Sequence, residues 1–174
     1  MGKSILRPGS RGCTINSEAM LRRIVPLLIA AVFAASAQKY DGPRPPKPDL
    51  PYIKHASNLV PTESSDAKEE KVKNDTTYSV AGTTSSARTP LASPIFIFQS
   101  SKITPEKFGL YKFDINKGRR EITFGPKKQA KSIHIEVVRL DKDLYKLEAV
   151  ESLEPGEYSL SPEGSNQVFC FQVY

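Results

Sequence analysis

Histidine and cysteine are scarce in this chain, two of each in 174 residues, and the scarcity narrows its chemistry. His55 stands in a Pro-rich stretch and His134 in an alternating apolar run. Neither has a Cys, Asp or Glu at the spacing of a metal site, so both read as structural or solvated. Cys13 falls in a segment expected to be removed, which leaves Cys170 without an intramolecular disulfide partner. Flanked by Phe169 and Phe171, Cys170 reads as a small buried hydrophobe. G-x-S-x-G nucleophile turns and Gly-rich phosphate loops are also missing. The expectation is a protein that is not an enzyme and carries no cofactor and no metal.

A strong excess of one charge is lacking too. The formal charge is +6, but residues 1–37 hold Lys3, Arg7, Arg11, Arg22 and Arg23 against Glu18 alone. Without them 20 basic residues face 18 acidic ones, a net charge of +2. A global pull toward nucleic acid is therefore not implied.

Apolar runs are short. Ile24–Ala35 spans 12 residues, against the ~20 that a membrane-spanning helix needs. Arg22 and Arg23 precede it as a positive region, and Ala35-Ser36-Ala37 comes after it with the small-x-small pattern of signal-peptidase sites. The pattern predicts a signal peptide over 20–37, cleavage before Gln38, and export to the periplasm or the extracellular space. Residues 1–19 are expected to be an upstream extension, with translation starting at Met20. The chain ends on the aromatic Tyr174, as outer-membrane strands often do, yet Gln172 interrupts the outward apolar row; a protein that does not span the membrane after cleavage is expected.

Beyond residue 37 the chain divides by texture. Residues 38–75 contain Pro43, Pro45, Pro46, Pro48, Pro51 and Pro61, which favour polyproline II. The charged stretch TESSDAKEEKVKND comes next. Together they predict a disordered linker. Residues 76–174 carry short apolar runs separated by turn residues at the spacing of an all-β fold. Candidate strands are 77–82, 94–99, 109–115, 119–124, 132–140, 144–150, 157–161 and 167–174. Alternation turns Tyr111, Phe113 and Ile115 inward, and likewise Tyr158 and Leu160. It turns Glu157 and Ser159 outward. The last strand is apolar on both faces, which suits a central position. The expected fold is an antiparallel two-layer β-sandwich, Ig-like or transthyretin-like, of about seven or eight strands.

Leu153-Glu154-Pro155-Gly156-Glu157-Tyr158-Ser159-Leu160 resembles the L-x-P-G-x-Y-x-L element of carboxypeptidase-regulatory-like and transthyretin-like sandwiches. The resemblance implies a sandwich architecture and carries no activity. Pro155-Gly156 suits the centre of a type II turn, with Gly at positive φ. The overall layout is similar to uncharacterised exported proteins of soil bacteria.

One concentration of charge remains. Lys117, Arg119, Arg120, Lys127, Lys128 and Lys131 are interrupted only by Glu121 and fall around one hairpin tip and the next turn. They are the candidate anion-binding rim, for an anionic envelope surface or a protein partner. The expected role is a non-catalytic binding, accessory or structural module. The alternative is a small secreted enzyme or inhibitor with a site built from loops.

Overall fold

The computed structural model describes residues 40–126 and 128–174. The expected signal peptide and upstream extension lie outside the described residues, as does Lys127. Five strands form early: β1 (Tyr52–His55), β2 (Asn58–Pro61), β3 (Glu63–Asp66), β4 (Lys68–Val72) and β5 (Asp75–Ala81). Then come β6 (Arg88–Thr89), β7 (Ile95–Gln99), β8 (Phe108–Lys112), β9 (Asp114–Asn116) and β10 (Arg119–Phe124). β11 (Ile135–Arg139), β12 (Leu144–Ala149), β13 (Gly156–Pro162) and β14 (Gln167–Val173) complete the chain. A 3-10 turn, Pro105–Lys107, has Pro in its first turn, where a missing N–H costs nothing.

The fold is all-β and sandwich-like, with three sheets. The first runs β11-β12-β7-β1-β2, the second β3-β14-β13-β8, and the third β4-β5-β10-β9. β6 lies parallel beside β14; every other strand pair is antiparallel. The second sheet is the middle layer. Phe169, Phe171, Tyr158 and Leu160 point from one of its faces into a core shared with Ile53, Phe96, Phe98 and Leu147 of the first sheet. Edge-on ring contacts lock that core, with Phe96 and Phe171 centroids 4.9 Å apart and Phe98 and Phe108 5.2 Å apart. Val168 and Cys170 point from the other face into a smaller core with Val80 and Ile122 of the third sheet. This explains the apolar residues on both faces of β14: it has a sheet on each side.

The second and third sheets also share both edges. Only Ala67 separates β3 from β4, and only Phe113 separates β8 from β9. Each pair is one strand that bends from one sheet into the other, as at the corners of orthogonally packed sheets. Pairing continues through the bends: Ala67 N–H donates to Asn166 O at 2.8 Å and Phe113 N–H to Glu157 O at 2.8 Å. Four strands in each sheet, with two bent strands counted in both, make a closed antiparallel ring of six. The ring leaves no open edge for edge-to-edge association.

The expected linker is part of this fold. β1 to β4 all lie within residues 38–75, and the compact unit begins at Lys39 rather than Thr76. β1 brings Tyr52 and Ile53 into the core, and the more polar β3 and β4 are held by pairing and anchoring. β3 takes its backbone partners from β14, and β4 from β5. In the Pro-rich run, Pro45 is buried, Arg44 hydrogen-bonds Asp141, and Asp49 N–H donates to Gln99 O at 2.8 Å. Asp49 sits at φ 57, and its Oδ1 accepts from the N–H groups of Ser101 (2.9 Å), Lys102 (2.9 Å) and Ile103 (3.1 Å).

Local expectations fare unevenly. Lys117-Gly118 forms the two-residue turn between β9 and β10, both residues at positive φ (48 and 79), as a type I′ hairpin requires. Ile115 does not point inward: the bend at Phe113 carries it past the core, and it is 52% exposed. Gly156 is not at positive φ; the Lys112 side chain crosses 2.9 Å from where its Cβ would sit. Tyr158 hydroxyl donates to Glu154 O at 2.7 Å, the geometry of a tyrosine corner, which explains the tyrosine in that stretch. Glu157 and Ser159 are buried instead of solvated, because the third sheet covers the face on which they stand.

Candidate functional site

The interior of the ring has two zones. One is polar. Arg120 on β10, 1% exposed, turns into the ring. Its Nη2 donates to Glu63 Oε1 at 2.6 Å and to Ala81 O at 3.0 Å; Nη1 donates to Ser85 Oγ at 2.5 Å and lies 3.8 Å from Glu157 Oε2. Ser85 donates twice to Glu157 Oε2, through N–H at 3.0 Å and Oγ at 2.5 Å, and Ser86 N–H donates to Glu63 Oε2 at 2.6 Å. One guanidinium thus ties β3, β10, β13 and the segment before β6 together. Burial pushes the Glu63 carboxyl up, but the Arg120 hydrogen bond and charge and the Ser86 N–H outweigh it and hold it below the usual range. Burial pushes the Cys170 thiol up to about 12, with Arg120 opposing only in part. Among the described residues, Arg120 Nε and Glu157 Oε1 are buried without a protein partner. With two carboxylates on one cation, this zone is an internal brace rather than a receptor for an outside anion.

The other zone is an open cleft of about 620 Å³ at the opposite end of the ring. Its floor is Ala67, Phe113, Ile122 and Val168; its walls are Tyr78, Tyr111 and Phe124. The wall rings meet edge-on, Tyr111 to Phe124 at 5.4 Å and Tyr78 to Phe124 at 6.0 Å between centroids, and all three are only part-buried. Phe113 divides the zones, with the Arg120 guanidinium 5.9 Å from its ring centroid. Thr76, Ser132 and Ser165 also line the cleft, with Glu106, Lys107 and Glu163. Lys107 Nζ lies 3.9 Å from Glu163 Oε2, and both side chains are mostly exposed. Such an arrangement offers van der Waals and ring contacts with polar groups beside them; its carboxylates are exposed, and among the described residues no histidine or cysteine lines it.

Of the six basic residues, Lys127 lies outside the described ones, and the other five do not form one rim. Arg120 faces into the ring while its neighbour Arg119 faces out, since they alternate on β10. Arg119 is held by Glu121 and by Glu70 at 3.4 Å. Lys117 is exposed on the hairpin turn. Lys128 lies 3.6 Å from Asp114; with Lys131 and Lys112 it lines a second cleft of about 310 Å³ that also contains Asp114 and Glu121. The histidines stand apart from both clefts: His55 Nε2 is 3.0 Å from Thr89 Oγ1, and His134 is exposed.

No family model, curated protein or solved structure matches the chain. Alternation places Tyr111 and Phe113 inside. It gives no sign of Tyr78 and Phe124 beside them, because those lie on strands that only the closed ring brings opposite.

Proposed function

We propose that the chain is an exported, non-catalytic binding module and that its site is the aromatic cleft at the end of the strand ring. The cleft carries this reading. Its volume of about 620 Å³ falls within the ~300–1,000 Å³ of small-molecule sites, which combine apolar walls with a few polar groups. Rings left part-exposed in a concavity gain contact when a ligand covers them. Export is supported by the Arg22-Arg23, Ile24–Ala35 and Ala35-Ser36-Ala37 sequence; among the described residues no helix is long and apolar enough to cross a membrane. The resemblance around Leu153–Leu160 fits an accessory sandwich domain.

The test uses Nile red, an uncharged dye whose emission rises in apolar surroundings. The protein should brighten it saturably, and Ser132→Trp, which adds a large ring at an exposed position of the mouth, should abolish the rise while the fold stays cooperative. No rise, or a rise unchanged by Ser132→Trp, overturns the reading.

A further inference from the structure

The geometry points to an uncharged amphiphile as the ligand of this cleft, a lipid-like molecule with an apolar body and a hydroxyl or carbonyl head; the inference rests on the cleft being a binding site. The floor supplies Phe113, Ile122 and Val168 for the body. Thr76, Ser132 and Ser165, uncharged residues that carry hydroxyls, are among the cleft's lining and suit a neutral head. Charge excludes the alternatives. An anionic head would need a cation, and the interior one, Arg120, is already shared by Glu63 and Glu157 behind the Phe113 ring. At the mouth, Lys107 is matched by Glu163, and Glu106 adds a further negative charge. A carboxylate drawn into such a site loses its hydration with nothing to replace it. A cationic head fares little better, because Glu106 and Glu163 are exposed and exposed charges are screened within ~8 Å at physiological salt.

The experiment compares three molecules of one chain length, dodecanol below its solubility limit and dodecanoate and dodecyltrimethylammonium below their micelle concentrations. Each is scored at pH 7.5 by displacement of Nile red and, independently of the dye, by the rise in Tm of the full chain. Dodecanol should act at about ten-fold lower concentration than either ion, the difference that an unpaired charge imposes. Glu163→Lys, at an exposed position of the mouth, should narrow the gap between dodecanoate and dodecanol. If dodecanoate or the ammonium matches or beats dodecanol, the assignment of an uncharged ligand falls and the cleft survives as a site. If no amphiphile raises Tm and Nile red does not bind, the cleft itself falls, and this inference with it.

Discussion

Arg120 and Glu63 stand 57 residues apart in sequence and 2.6 Å apart inside the ring of strands. The contact joins a polar segment that has no apolar face of its own to the centre of the domain. It also turns a residue with the sequence context of a surface cation into the most buried charge of the fold, 1% exposed. Both facts have one cause: the third sheet closes over the second, so polar residues on the covered face must find partners inside.

Removing one partner from such a pair costs more than the pair contributes, because the other charge is left buried. Glu63→Gln should therefore destabilise the domain by about 3 kcal/mol, the lower end of the usual range because Glu63 itself keeps some solvent contact. Arg120→Met should cost more than Glu63→Gln, because it leaves both Glu63 and the buried Glu157 without their cation. Urea titrations of the two variants measure both; a Glu63→Gln midpoint equal to wild type would show that the brace does not hold the ring.

The same contact sets the N-terminal limit of the folding unit. A fragment beginning at Lys39 should unfold cooperatively, and one beginning at Thr76 should not, because it lacks β1 to β4 and leaves Arg120 without Glu63. Far-UV circular dichroism through a thermal ramp distinguishes the two. Lys54, Lys68, Lys71 and Lys73 should resist brief trypsin treatment in the native state. Rapid cutting there would restore the segment to a linker.

The eight strands expected after Thr76 all appear, because alternation and turn residues mark them locally: Asn116-Lys117-Gly118 makes its hairpin, and β14 is central. β3 (ESSD) and β4 (KEEKV) leave no mark in the sequence pattern because their apolar residues are few; they are strands by virtue of their backbone partners. Glu157, Ser159 and Arg120 read as outward-facing since alternation separates two faces without saying whether both are covered. The cleft is illegible for the same reason, being made by strands that meet only through the bends at Ala67 and Phe113.

Asp49 should give the domain an acid-sensitive loop. Its burial acts to raise its pKa, but the N–H groups of Lys102, Ser101 and Ile103 outweigh it and set the value below the ordinary 3.8. A carboxyl lowered in the folded state stabilises fully above its unfolded value and loses that contribution as pH falls through the folded one. Asp49→Asn keeps a side chain that tolerates positive φ and removes only the charge. Its Tm should lie below wild type at pH 6, and the difference should shrink below pH 4. A constant difference across that range would mean that the ionised form is not what the loop recognises.

Cys170 reports on the whole assembly. It is fully buried between the second and third sheets, and burial pushes its thiol up to about 12. At pH 8 the native thiol is then protonated, and a thiol reagent has no path to it, so labelling must wait for the ring to open. Under such conditions the labelling rate tracks the population of the open form. Dithionitrobenzoate should react within seconds in 8 M urea, and in buffer slower by orders of magnitude. Because ~1.4 kcal/mol is a factor of ten in an equilibrium constant, a brace worth about 3 kcal/mol should make Glu63→Gln label roughly 100-fold faster than wild type. Prompt labelling of the wild type in buffer would place Cys170 at an accessible surface and remove the closed ring. Slow labelling of both proteins at one rate would keep the ring and remove Arg120–Glu63 as its brace.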